Sequence, residues 1–138
     1  MTEQFSWPVR VYWEDTDAGG VVYHARYLAF LERARSEWMR ARGFGQETLR
    51  NDDNLMFVVR AMDIDFHAPA RLDDQLQVSV NLLECRGASF VMTQQIHRDE
   101  LLLIVAKVRV AALLASSFRP RAIPERLNSR LKLFVENV

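Results

Sequence analysis

The chain has 138 residues, of which 49% are hydrophobic and 26% charged, a size and balance typical of one globular domain. Eighteen basic and eighteen acidic residues give a formal net charge of zero, so no overall positive field attracts nucleic acid or an anionic membrane. The single cysteine, Cys85, excludes an internal disulfide, a CxxC redox pair and a cysteine-rich zinc site, and it fits a reducing compartment.

The first predicted elements are a strand at residues 9–13 and one long amphipathic helix at residues 25–42, which Gly43 closes. Spacings of three and four between apolar residues define the buried stripe of this helix. The stripe consists of Tyr27, Leu31, Ala34, Trp38 and Ala41. Two i,i+3 pairs of opposite charge support the helix. They are Glu32 with Arg35 and Glu37 with Arg40.

The hydrophobic period then changes from 3.6 to 2, which indicates strands at residues 62–67, 75–82, 88–97 and 104–112. The longest apolar run, residues 101–115, includes Lys107 and Arg109 and is shorter than the about 20 residues of a membrane-spanning helix. We therefore interpret it as a buried strand. Residues 86–87 and 98–100 are short enough for hairpin turns, so the last three strands should form an antiparallel meander.

A short C-terminal helix is predicted at Pro124, because proline suits the first turn and Leu127 and Leu131 follow at helical spacing. The resulting order predicts an α+β domain over residues 1–138, in which an antiparallel sheet of about five strands buries one face on the long helix. The other face and the sheet edges need cover, and long exposed strands invite pairing. We therefore expect a homo-oligomer.

Several familiar catalytic patterns are missing from the sequence. The segment 87–91 lacks the final glycine of a G-x-S-x-G elbow, and neither G-x-G-x-x-G nor a P-loop occurs. The three histidines, at positions 24, 67 and 97, form no HxH or HExxH pair, so no metal site is expected. The lone Cys85 fits a small core residue better than a nucleophile.

The remaining candidate for chemistry is the junction between the first strand and the long helix. It passes through Asp15, Asp17 and the pair Gly19-Gly20 before reaching His24. Glycines allow a ligand to approach the backbone, and the unpaired N–H groups of a helix start can polarise a carbonyl that an aspartate, or water activated by it, attacks. The simpler alternative is that both aspartates form turns or caps and that His24 packs at the helix start.

This junction resembles the signature of hotdog-fold acyl-CoA thioesterases, D-T-D-x-x-G-x-V-Y-H, which here runs from Asp15 to His24. Within that group it is similar to the Tol-Pal-associated branch of the 4-hydroxybenzoyl-CoA thioesterases. Residues 57–60, 68–74 and 120–124 fit the same branch, so the resemblance covers nearly the whole chain. It implies a hotdog fold, a sheet curled around one long helix, and hydrolysis of an acyl-CoA thioester without metal or cofactor.

The resemblance also implies roles for individual residues. Asp17 would be the catalytic carboxylate, acting as nucleophile or general base, and His24 would be the active-site histidine. Backbone N–H groups around the helix start would polarise the thioester carbonyl, and arginines would meet the phosphates of CoA. The substrate-binding candidates are Tyr23, Ala25, Arg60 and Arg86.

The family implies partners as well. Its sites lie at dimer interfaces, so we expect a homodimer or a homotetramer built as a dimer of dimers, with an acyl-carrier or envelope-machinery partner as a further expectation. The N-terminal segment lacks the basic start and apolar core of a signal peptide, and we expect a cytoplasmic protein with no membrane span.

Trp13 departs from the tyrosine that is common in this branch. An indole only donates a hydrogen bond, whereas a phenol both donates and accepts. The departure leaves open a non-catalytic acyl-thioester or envelope-machinery binding protein of the same fold. A hotdog dehydratase is a further alternative, which the D-T-D motif disfavours.

Overall fold

The computed structural model describes residues 4–135, and its largest element is a five-stranded antiparallel sheet. The strands are β1 (Phe5–Arg10), β2 (Leu55–Phe66), β3 (Gln75–Arg86), β4 (Ser89–Arg98) and β5 (Leu101–Leu114). Their spatial order is β1-β3-β4-β5-β2, so β1 and β2 form the two edges. The helices of the described residues are α1 (Arg26–Ala41), α2 (Gln46–Asp53) and α3 (Glu125–Lys132). The predicted α+β architecture is confirmed.

Helix α1 packs its apolar stripe on one face of the sheet and shares a single core with it. Phe30 and Leu31 are fully buried there, and each such side chain contributes about 2–3 kcal/mol through removal of apolar surface from water. The helix starts and ends within one residue of the prediction, and Gly43 closes it with a φ of +83°. Ala41, predicted in the stripe, is exposed.

Only one of the two charge pairs predicted on α1 forms an ion pair. Glu37 and Arg40 are in contact, as predicted. The pairing of Glu32 with Arg35 is wrong, because Arg35 turns inward, is only 8% exposed and donates to Gln94 on β4 instead. A charged side chain in the core is rare unless something there compensates it.

The three-strand meander is confirmed. Strands β3, β4 and β5 pair in sequence, and β5 covers nearly all of the long apolar run. The turns contain Gly87 at a φ of +60° and Asp99 at +54°, the left-handed conformation that tight hairpins require. No helix within residues 4–135 combines the length and the apolar character needed to cross a membrane.

The predicted first strand at residues 9–13 is wrong in position, because β1 ends at Arg10 and Trp13–Asp15 forms a short 3₁₀ turn. The Asp15 carboxylate explains the early end of the strand. Its Oδ2 accepts from the N–H of Tyr12 at 2.8 Å, so this backbone is satisfied locally instead of by a neighbouring strand. At the other end, Pro8 is tolerated in β1 because β1 is an edge strand.

Two further elements differ from the prediction. Strand β2 starts at Leu55, well before the predicted residue 62. Its first half was missed because a bulge between Val59 and Ala61 interrupts the alternation of apolar and polar residues. Helix α2 was not predicted, since Leu49 is its one buried residue and the apolar pattern is too sparse.

The C-terminal helix α3 follows Pro124 as predicted and packs on β3. Cys85 of β3 is 8% exposed, and its thiol donates to Oδ1 of Asn128 in α3 at 2.9 Å. Burial raises the pKa of the Cys85 thiol, and nearby Lys132 opposes this shift. Its predicted place in the core is confirmed.

Candidate active site

Asp15 connects the segment that follows β1 to the start of α1 through hydrogen bonds. The residue is 3% exposed, and its Oδ1 accepts from Nε and a terminal nitrogen of Arg26 at 2.9 and 2.7 Å. Its backbone carbonyl accepts from the N–H of Tyr23 at 2.9 Å. One residue therefore fixes the entry to the loop and its exit into the helix. The Asp15 carboxylate thus caps the short 3₁₀ turn, in line with the simpler alternative, whereas the start of α1 has no side-chain cap.

Asp17 lies in the exposed turn that Asp15 holds in place. The N–H of Gly20 donates to its carbonyl at 3.0 Å, and the N–H of Gly19 donates to its Oδ1 at 2.8 Å. Gly20 has a φ of +81°, which an L side chain adopts only with strain. Within the described residues, the second carboxylate oxygen accepts no hydrogen bond, so it faces solvent and is available for chemistry.

The start of α1 provides hydrogen-bond donors next to this turn. The N–H of Tyr23 already donates to the Asp15 carbonyl, so this N–H is not one of the donors available to a thioester carbonyl. The N–H groups of His24 and Ala25 have no acceptor in residues 4–135, and the positive end of the helix dipole adds to their effect. Both residues are exposed, and the His24 ring lies 4.7 Å from the Tyr23 ring, centroid to centroid.

The loop between β2 and β3 supports the turn from behind. The carbonyl of Ala70 accepts from the N–H of Val22 at 2.9 Å, and the N–H of Ala70 donates to the hydroxyl of Tyr27 at 3.0 Å. Burial raises the pKa of the Tyr27 phenol, so this hydroxyl stays protonated. Arg98 and Asp74 lock the loop through an ion pair at 2.7 Å. The segment 68–74 therefore acts as the scaffold of the candidate site.

A cavity opens between α1 and β2, beginning at the helix start. One part, of about 760 Å³, is lined by residues that include Ala25 and Leu28 of α1 and Met62 of β2. A narrower part of about 300 Å³ continues toward β4 and β5, where Phe90 and Met92 form apolar walls. Glu32, Arg35 and Val59 line both parts, and we call the two together the α1–β2 cavity.

The two candidate arginines lie in different places. Arg60 is exposed at the bulge of β2, next in sequence to Val59 on the cavity wall. Arg86 ends β3, whereas the opposite end of that strand, Gln75, adjoins the supporting loop. The length of β3 separates Arg86 from Gln75 by roughly 35 Å, at about 3.3 Å per residue. The registers place Arg60 at nearly the same height along the sheet as Arg86, since Val59 pairs with Val110, Val110 with Phe90 and Phe90 with Cys85. The two arginines therefore differ in the strand that bears them, and Arg60 is the one beside the cavity wall.

Sequence reasoning missed three residues of this region: Arg26, Tyr27 as a loop support, and Arg35. The opposite charges of Asp15 and Arg26, which flank the turn and the helix start, were a signal for the first. Among residues 4–135, no group of three His, Cys, Asp or Glu side chains is placed to hold a metal ion.

The fold and the arrangement at the helix start define a known class of protein. Residues 19–105 match the family model described as the thioesterase superfamily. The chain belongs to this superfamily, and it is a hotdog-type α+β thioesterase, as the resemblance implied.

Individual relatives narrow the class. The acyl-CoA thioester hydrolase YbgC of Escherichia coli O6:H1 is 47% identical over 132 residues, which cover 95% of this chain and 98% of the relative. The crystal structure of a probable thioesterase from Bartonella henselae is 42% identical with a TM-score of 0.84, covering 88% of this chain and 100% of that one. A thioesterase-superfamily structure from Jannaschia sp. CCS1 reaches a TM-score of 0.90 at 19% identity over 99% of both chains, and it supports the fold alone.

Proposed function

We propose that the chain, as one domain over residues 1–138, hydrolyses an acyl-CoA thioester to a free acid and CoA without a metal or cofactor. One observation carries this proposal. The exposed carboxylate of Asp17 is held by the N–H of Gly19, beside a helix start whose His24 and Ala25 N–H groups have no acceptor in the described residues. The relatives named as acyl-CoA thioester hydrolases support the choice of substrate.

The proposed reaction uses these groups in a simple order. The thioester oxygen accepts from the N–H groups of His24 and Ala25, which stabilise the negative charge that develops on it. Asp17 either attacks the carbonyl carbon or removes a proton from a water molecule that attacks it. The tetrahedral intermediate collapses, the C–S bond breaks, and CoA leaves as a thiolate that takes up a proton. In the direct route, water then hydrolyses the acyl-aspartate anhydride and regenerates the carboxylate.

The α1–β2 cavity is the proposed site for the acyl group, because it begins at Ala25 and its walls are largely apolar. Arg60 is proposed to meet the CoA phosphates from the exposed bulge of β2, with His24 assisting at the carbonyl. Arg86, at the end of β3, is proposed as a second contact to the CoA phosphates.

The proposed assembly is a homodimer or homotetramer. In the described residues, β2 pairs only with β5, so its twelve-residue outer edge is open, and Val59 and Phe66 on it are 47% and 55% exposed. Such an edge favours pairing with another strand. A cytoplasmic location and an acyl-carrier or envelope-machinery partner complete the proposal.

Thiol release from a panel of acyl-CoAs, from acetyl to palmitoyl and benzoyl, tests the activity. The Asp17→Asn variant should keep the turn, since an amide oxygen still accepts from Gly19, while kcat falls by about a hundredfold or more. Circular dichroism and Tm should match the wild type. A variant that retains wild-type kcat would contradict the role of Asp17.

The same panel separates hydrolysis from binding alone. A non-catalytic acyl-thioester binding protein would be stabilised against heat by acyl-CoA but would release no thiol. We expect both effects with the wild type, and stabilisation without turnover only in the Asp17→Asn variant.

A further inference from the structure

The α1–β2 cavity contains a charged group that hydrolysis does not use. Arg35 is 8% exposed, lines both parts of the cavity, and lies ten residues along α1 from Ala25. A guanidinium has five N–H donors. Within the described residues only one of its nitrogens, a terminal one, has a partner, the Oε1 of Gln94 at 3.0 Å. The remaining donors have no protein acceptor and are available to a molecule in the cavity.

Gln94 holds this guanidinium in a fixed position. Its side chain is completely buried, and its Nε2 donates to the carbonyls of Leu31 at 3.1 Å and Ser79 at 3.3 Å. Because both donors of the amide are occupied by carbonyls, its oxygen must face Arg35. The helix and the sheet thus both contribute to the orientation of one cation in a cavity whose walls are largely apolar.

No carboxylate of residues 4–135 lies within 4.0 Å of the Arg35 guanidinium. Glu32 is the acidic residue that shares the cavity wall, but it is exposed, so water screens its charge. Burial lowers the pKa of Arg35, and Glu32 opposes this only in part. A buried cation of this kind is stabilised most by an anion that fits its planar fork.

We propose that Arg35 is a specificity-determining residue, which selects acyl groups that carry a carboxylate remote from the thioester. This inference rests on the proposed function, since it places the acyl group in the α1–β2 cavity. The helix rise separates Ala25 from Arg35 by roughly 15 Å, and helical side chains point back toward the N-terminus. The guanidinium therefore lies closer to the helix start than its own Cα and within reach of a medium-length acyl chain.

Matched substrates test this proposal. Adipyl-CoA and hexanoyl-CoA have equal chain lengths and differ in a terminal carboxylate or methyl group, as do suberyl-CoA and octanoyl-CoA. With the wild type, kcat/KM should favour the carboxylated member of at least one pair by roughly tenfold. In Arg35→Met that ratio should fall to one or below, and Arg35→Lys should give an intermediate value. Enzyme-free hydrolysis is subtracted, and Arg33→Met, an exposed arginine on the same helix, is the control.

The ratio is measured within one preparation, so the fraction of folded enzyme cancels. A wild type that favours the methyl member of both pairs overturns the proposal, even if Arg35→Met does not fold. An unchanged ratio in a folded Arg35→Met or Arg35→Lys variant overturns it as well. Thiol release with an unchanged ratio refutes the role of Arg35 alone, whereas no release from any acyl-CoA refutes the proposed function itself.

Discussion

The buried Asp15 gives the sharpest test of how the candidate site is built. In Asp15→Asn, the single amide oxygen can accept either from Arg26 or from the N–H of Tyr12, but not from both as the carboxylate does. The variant therefore leaves one part-buried donor without its acceptor and removes the negative charge that pairs with Arg26, whose side chain is 33% exposed. Together these losses should lower the free energy of unfolding by about 3 kcal/mol. For a chain of this size, Tm should fall by about 10 °C.

Urea and thermal unfolding followed by circular dichroism measure this effect, with Asp63→Asn as the matched control because Asp63 is an exposed carboxylate on β2. Below its unfolding midpoint, Asp15→Asn should retain measurable thiol release, since Asp17 is unchanged. Asp17→Asn should show the opposite pattern, with normal stability and little activity. A destabilisation of Asp15→Asn below about 1 kcal/mol would refute the idea that its carboxylate anchors the loop.

Three other outcomes are expected. His24→Ala should lose less kcat than Asp17→Asn on one substrate, because the backbone N–H donors remain; the reverse ranking would assign the main role to the imidazole. Gly20→Ala, at a φ of +81°, should lose about 1 kcal/mol of stability and also kcat, and normal values of both would contradict the need for that turn. The raised pKa of Cys85 means that the folded state holds its proton more tightly than the unfolded state. Its contribution to stability should be constant below the usual thiol pKa and decline as the pH rises above it. The difference between the urea midpoints at neutral and at alkaline pH should therefore be smaller for Cys85→Ala than for the wild type.

The elements that the sequence predicted well are those whose burial follows a single regular period. Helix α1 and the hairpins around Gly87 and Asp99 belong to this group, because their patterns reflect contact with one core. Where a local interaction overrides the period, the prediction fails. The Asp15 carboxylate stops the first strand early, and the bulge beside Arg60 hides the first half of β2.

For the candidate site, residue spacing indicated a candidate segment but not the separate roles of its residues. By spacing alone Asp15 and Asp17 are equivalent, and only the resemblance assigned the catalytic role to Asp17, whereas the structure buries the first and exposes the second. Arg35 was assigned to a surface ion pair, because an i,i+3 spacing of opposite charges indicates one on an exposed helix face. Its true position depends on Gln94, 59 residues away, and no local pattern reports that contact.

The candidate reacting groups and their anchor come from one continuous stretch, Asp15 to Arg26, whereas the far walls of the α1–β2 cavity come from strands much later in the chain. With the acyl group placed in this cavity, as proposed, substitutions in β2, β4 and β5 should alter which acyl group is accepted while the turn that bears Asp17 keeps its own support. This separation along the chain makes the scaffold evolvable, since new substrate preferences can arise by changes in one part of the sequence without rebuilding the reaction centre in another.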